Sequence, residues 1–383
     1  MVAAATVATF AWWSSLSLVL DATRPAPDAL ADALQHAATA PWSEHSDPTA
    51  GASSLEHSLN PEWDFMARTF LVLALANDAL ADPRKANANL AIVDRIIDDT
   101  VAAERKHGQT YFLLPYARQR RFIDGSERSV FVDGEIALML AARTMVADKP
   151  AYRDALRLRA GLIAAQMGRG PVLSAESYPD EAWTFCNTTA LVALRASDRI
   201  LHTDHQPLID AWLAMARDKL IDPTSGLLVS SFTYSGEPLD GPEGSTLWMT
   251  AHNLLVLDPE MAREQYALAK AQLGAGFGGL AWADEWPSDD AFADRRGRDV
   301  DSGLVIPVLG ASPGSSGMMV LAASAFGDEP QRDALLRSLQ LGAFPTGSHG
   351  GTHFAAAGNI GNAVILYALR FGPFWERLEE EAA

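Results

Sequence analysis

The sequence predicts an all-α fold, an (α/α)6 toroid or barrel of about six helical hairpins with a short β-hairpin arm. Three observations predict it. From Asn60 onward, apolar residues recur at three- and four-residue spacing, which is helical periodicity. The helical segments come in pairs, and one member of each pair is apolar on nearly every side while its partner is amphipathic and more charged. A helix apolar all round must be enclosed and an amphipathic one faces water, so the alternation reads as inner helix, outer helix, repeated around a ring.

The inner members are expected to start near Pro61, Asp133, Pro179, Ser245, Ser315 and Gly361. Their outer partners run over Ala86 to Lys106, Tyr152 to Met167, Gln206 to Leu220, Glu260 to Leu273 and Gln331 to Leu341. An open α-solenoid or a multi-helix bundle would also pair helices, but a solenoid repeats at a regular length and no such period is present. Strand-like alternation is nearly absent. The exception is Gly226 to Tyr234, which could form the hairpin arm.

Two regions follow: residues 1–59, an N-terminal helix and surface arm, and residues 60–383, the barrel catalytic domain. Pro25, Pro27, Pro41 and Pro48 interrupt the arm. Val2 to Leu20 carries no charge and approaches the ~20 apolar residues that span a bilayer. No Lys or Arg precedes it, and Trp12, Trp13, Ser14, Ser15 and Ser17 break its centre, so it reads as a helix packed on the barrel exterior; membrane contact is the alternative.

Hydrophobic residues at 48% and charged residues at 20% describe a chain able to bury a large core. A net charge of -18 repels phosphate backbones, which excludes nucleic acid as an expected partner and leaves a small molecule or a second copy of the chain. The single cysteine, Cys186, permits no intrachain disulfide and no cysteine-based zinc site, consistent with a cytoplasmic protein. His349 and His353 sit among glycines, no His-Glu-x-x-His pattern occurs, and no nucleotide fingerprint is present, so neither metal nor organic cofactor is expected.

Four inner-helix starts carry carboxylates: Pro61-Glu62-Trp63-Asp64, Val132-Asp133-Gly134-Glu135, Pro179-Asp180-Glu181-Ala182 and Gly241-Pro242-Glu243-Gly244. Acids in a first helical turn satisfy free amides and the positive dipole end, and that explains any one of them. In a closed ring the starts converge, and Asp64, Asp133 and Asp180 become candidate catalytic acids with Glu135 and Glu243 as substrate contacts. Glu176-Ser177-Tyr178-Pro179-Asp180-Glu181-Ala182-Trp183-Thr184-Phe185-Cys186-Asn187 is the densest stretch. Glu176, in the loop entering the helix, is expected to reach across the mouth, and Asp180 to be held ionised in the first helical turn, so that the two titrate apart as acid and base. Cys186 joins them as a catalytic candidate. Tyr116, Tyr178, Trp183, Trp248 and Trp282 are expected to line an apolar pocket, and Asp301 lies in a Gly- and Asp-rich loop suited to a lid.

At Glu176 to Asn187, preceded by Asp133-Gly134-Glu135 and followed by the Gly- and Trp-rich loops, the chain resembles the linalool dehydratase/isomerase-like family. The resemblance implies an (α/α)6 barrel that adds or removes water at an allylic alcohol without an organic cofactor. It also implies a catalytic Asp on the first inner helix, which Asp64 resembles, and a Cys followed by Asn on the third, which Cys186-Asn187 resembles. The family's second cysteine has no counterpart here, and its histidine near the second inner helix is replaced around Asp133 to Glu135. Two other functions fit such a toroid: a glycosidase or sugar epimerase, given ten Trp residues, and a non-enzymatic helical binding protein whose carboxylates are only caps.

Overall fold

The computed structural model describes residues 26–43, 54–289, 294, 303–306, 309–348 and 351–379; the apolar run Val2 to Leu20 and the lid candidate Asp301 lie outside them. Six inner helices form a closed ring: α3 (Pro61–Ala81), α5 (Val130–Val146), α7 (Thr184–Leu201), α9 (Gly244–Leu254), α11 (Pro313–Ala325) and α13 (Gly358–Arg370). Each packs on the next, and α13 packs back on α3. Outside them lie α4 (Ala86–His107), α6 (Pro150–Arg169), α8 (Gln206–Lys219), α10 (Pro259–Leu273) and α12 (Glu329–Gly342). The expected (α/α)6 toroid is the observed fold.

The sixth outer helix comes from the other end of the chain. Pro27 does not break a helix but opens one, since proline's fixed φ suits the first helical position. The resulting α1 (Pro27–Thr39) packs on α13 and buries Leu30, Ala31 and Leu34 in the same core as the ring. The surface arm expected over residues 22–60 therefore contributes a structural helix, and a short α2 (Ser54–Leu59) leads into α3. At the far end, α14 (Pro373–Glu379) seals the ring with buried Phe374 and Trp375, the Phe374 amide donating to Asn77 Oδ1 at 2.7 Å.

All six inner helices present their amino ends to one mouth, and the connections there are stitched round the ring. The Val130 amide donates to Glu176 O at 2.8 Å, Thr184 to Ser230 O at 2.9 Å and Gly244 to Glu285 O at 2.8 Å. In each case a free first-turn amide is satisfied by the loop that precedes the next inner helix. Asn60 caps α3 directly, accepting from Glu62 N at 3.0 Å and Trp63 N at 3.2 Å, worth ~1 kcal/mol.

Three small sheets decorate the mouth. In the first, β1 (Ala182–Trp183), β2 (Ser231–Phe232) and β3 (Pro238–Asp240) run antiparallel, so the Gly226–Tyr234 stretch does supply a strand. The other two hairpins, β4 (Gly274–Phe277) with β5 (Leu280–Ala283) and β6 (Pro345–Ser348) with β7 (Gly351–Phe354), were not expected. Gly278 and Gly279 take φ of 59° and 86°, the paired left-handed conformations of a two-residue hairpin turn. Among the described residues no helix is long and apolar enough to cross a membrane.

Candidate active site

The mouth opens into a cavity of about 1010 Å³, lined from every inner helix: Glu62 of α3, Phe131 of α5, Cys186 of α7, Ser245 of α9, Gly317 of α11 and Ile365 of α13. The strand residues Trp183 and Trp282 flank it, as does Gly303, where an added Cβ would stand 3.7 Å from the Trp63 ring. No Lys, Arg or His lines the wall among the described residues. Nor does any group of three or more His, Cys, Asp or Glu there suit a metal ion.

One set of polar groups is linked by hydrogen bonds, and Asp240, Glu243, Ser245 and Thr246 are further polar residues on the wall. The Tyr178 hydroxyl donates to Glu62 Oε1 and accepts from the Leu114 amide at 2.9 Å. Tyr116 stacks on Tyr178 with centroids 4.5 Å apart and donates its own hydroxyl to Glu181 Oε1 at 3.1 Å. The Trp183 indole N–H donates to the same Glu181 oxygen. Two carboxyl groups from the first and third repeats are thereby joined through two stacked phenols. Burial, reinforced by Glu62, holds the Tyr178 hydroxyl far above its usual range, so it remains a neutral donor.

Cys186 sits in the first turn of α7 and lines the cavity floor at 6% exposure. Burial pushes its thiol well up; the carboxyls of Glu62, Glu135 and Glu181 add to this, while the Ser177 hydroxyl works against it. The group is a thiol, not a thiolate, at neutral pH. Glu135 does not line the cavity. It is 2% exposed, and burial raises its carboxyl to about 7, opposed only by the Thr69 hydroxyl.

Of the sequence candidates, Cys186, Tyr116, Tyr178, Trp183, Glu243 and Trp282 line this cavity. Apart from Asp301, which lies outside the described residues, the others do not, each for an identifiable reason. Asp64 lies two residues from Glu62, about 200° round the helix, and turns away to pair with Arg68 at 3.2 Å and His57 at 3.4 Å. Asp133 is related to Phe131 in the same way and is wholly buried among cations, its Oδ1 2.6 Å from Arg128 Nη2. Glu176 does not reach across the mouth. Its carboxylate accepts from the amides of Ile123 at 2.9 Å, Asp124 at 2.7 Å and Asp180 at 2.7 Å, a buried clasp on two loops.

Asp180 is not in a helical turn, because α7 begins only at Thr184. It occupies a left-handed turn at φ 59°, where Asp is better tolerated than most residues. Trp248 is fully buried in the core, its indole donating to Ser315 Oγ at 2.9 Å. Asn187, the companion of Cys186, clasps the entering loop by accepting from Ala175 N at 2.9 Å and donating to Ala175 O at 3.1 Å. Sequence reasoning missed Glu62, Glu181 and Trp63 as cavity residues although it quoted all three. The signal was available for Glu62 and Trp63: with Met66 they form the i, i+1, i+4 stripe that an inner face requires.

A family model described as linalool dehydratase/isomerase matches residues 133–360. No curated protein matches the sequence. Among solved structures, the chain is similar to the GH76A alpha-1,6-mannanase from Salegentibacter sp. HEL1_6, at 12% identity over 88% of this chain and 97% of that one, with a TM-score of 0.50. An inactive variant of that mannanase, in complex with alpha-1,6-mannotetrose, gives 12% identity, 90% and 99% coverage and a TM-score of 0.52. Likeness at that identity shows the shared toroid and nothing about chemistry. The family model spans more than half of the chain and includes the Cys186 floor, the Glu181 sector and most or all of four of the six inner helices, and the chain belongs to the linalool dehydratase/isomerase family.

Proposed function

We propose that the protein is a cofactor-independent hydro-lyase or isomerase that removes, adds or relocates water on a small, mostly apolar alcohol or alkene of terpenoid or polyketide-derived type. The observation that carries this reading is the division of the cavity wall. Glu62, Tyr178, Tyr116 and Glu181 form one linked polar group, Asp240, Glu243, Ser245, Thr246, Ser316 and Ser338 add further polar side chains, and Met66, Phe131, Val320, Leu339, Val364 and Ile365 supply a broad apolar share. Such a wall suits a ligand that is mostly hydrocarbon with few polar groups; a sugar, with a hydroxyl on nearly every carbon, would set several of them against the apolar side chains.

In the dehydration direction, Glu62 in its acid form protonates the leaving hydroxyl, the C–O bond breaks, and water departs. Positive charge developing on carbon lies between the Glu181 carboxylate and the rings of Trp63 and Trp183. Cys186, on the floor, receives the proton from the adjacent carbon as the double bond forms and gives up its own proton to a neighbouring carboxylate, staying a neutral thiol. Hydration is the reverse. Isomerisation combines the two with water returning at a different carbon.

The test is a panel of five- to fifteen-carbon allylic alcohols and alkenes, with α-mannosides alongside, assayed for product by gas chromatography. Interconversion of alcohol and alkene that drops at least ~100-fold in Glu62→Gln, the scale of a lost general acid, supports the reading. Mannoside cleavage with no alcohol turnover would replace it by carbohydrate chemistry.

A further inference from the structure

A buried thiol can take a proton from carbon only if its own proton has somewhere to go, and the layer beneath the cavity floor supplies a destination. Met66 of α3, Phe131 of α5 and Cys186 of α7 form part of that floor. Thr69 follows Met66 by three residues and Glu135 follows Phe131 by four, so both lie on the same helix faces one turn deeper. Gly134 brings α5 and α7 together at this level. A Cβ on it would stand 3.3 Å from the Ala190 backbone, one turn below Cys186.

Among the described residues, Glu135 has no cation of its own. Arg68 of α3 bonds Asp64 and, on α4, Asp99; Arg128 and Arg159 of α6 bond Asp133 and Glu104 of α4; Arg143 of α5 bonds Asp94 of α4. From α7, the titratable group bearing on the same region is Cys186 itself. A buried acid without a counter-charge, about one helical turn below a buried thiol and within its electrostatic reach, is costly for structure alone, since an apolar residue would pack there without a desolvation penalty.

We propose that Glu135 and Cys186 form one proton-transfer unit, with Glu135 acting through Cys186 and not on the substrate. The inference rests on the alcohol–alkene reading above. As the substrate C–H bond breaks and its electron pair becomes the C=C bond, the proton goes to Sγ and the thiol's original proton passes to the Glu135 carboxylate. The thiol is neutral before and after, and Glu135 is left as the acid. In the hydration direction Glu135 returns its proton to Sγ as the thiol protonates the alkene carbon.

Because Cys186 is the only cysteine of the chain, its chemistry can be read without any substrate. The experiment is the rate of iodoacetamide alkylation of the full-length protein from pH 6 to pH 10, in wild type, Glu135→Gln and Glu135→Asp. Removing a neighbouring carboxylate that lowers the thiol pKa by one unit makes labelling of Glu135→Gln about tenfold faster at pH 8. The high-pH plateau, which reports access, should match wild type, and Glu135→Asp should restore slow labelling. Identical rate–pH curves in wild type and Glu135→Gln would overturn the coupling whatever the substrate. The catalytic role is read separately, as loss of one limb of the kcat–pH profile in Glu135→Gln with KM little changed; an unaltered profile would overturn that role. Failure of the whole protein to turn over alcohols or alkenes would leave the labelling result standing and refute the functional reading instead.

Discussion

Glu135→Gln should change stability in an unusual direction. Burial raises the Glu135 carboxyl from 4.5 to about 7 in the folded protein. At ~1.36 kcal/mol per pKa unit, that is a difference of about 3 kcal/mol between folded and unfolded states. For a raised folded pKa, the stabilising contribution is fully present below the unfolded value near 4.5 and is lost as the pH rises through about 7. Wild type therefore carries a penalty at pH 8 that it largely lacks at pH 5. Glutamine has nearly the same shape and does not titrate. An unfolding entropy of ~2.1 cal/mol/K per residue gives ~0.8 kcal/mol/K for a chain of this length, so 1 kcal/mol moves Tm by about 1 °C. Differential scanning fluorimetry should show Glu135→Gln gaining about 3 °C on wild type between pH 5 and pH 8. Parallel Tm–pH curves would mean that Glu135 is hydrated or paired, and the reasoning would fail.

Three further outcomes follow from the same geometry. Glu176→Gln replaces one acceptor of a three-amide clasp with a donor, so urea unfolding should show a loss of about 3 to 5 kcal/mol, with turnover per folded molecule retained. Asp180→Asn keeps a side chain suited to the left-handed turn and should change Tm and turnover little; a large activity loss would return Asp180 to the chemistry. Gly134→Ala forces α5 and α7 apart against the Ala190 backbone at 3.3 Å and should cost about 1 to 3 kcal/mol, with a disturbed Cys186 labelling rate as the second readout.

The toroid was legible because its inner helices have no polar face to hide. Leu71 to Ala76 and Ile136 to Ala142 are buried throughout, and a continuous apolar run of that kind reads directly as an enclosed helix. The ring's closure was not legible, since nothing local to Pro27–Thr39 says that it completes a hairpin whose other half begins at Gly358. The site was legible by region and not by residue. Glu62 and Asp64, or Asp133 and Glu135, differ only in rotation about a helix axis, and the stripe of apolar neighbours that fixes the rotation was passed over for the more familiar acid. Glu176 misled for another reason. A carboxylate that binds three loop amides looks in sequence like one that faces a substrate, because the partners are main-chain groups with no signature of their own.

The most direct test of proton chemistry at carbon is deuterium exchange in D2O, with the alkene that the panel identifies and EDTA-treated protein. Reversible protonation through Cys186 predicts deuterium in the recovered alkene at the double-bond carbon that the thiol protonates, appearing at least as fast as alcohol forms and reduced at least ~100-fold in Cys186→Ser with little change in Tm. Alcohol formation with no carbon-bound deuterium, or full exchange in Cys186→Ser, would contradict the assignment.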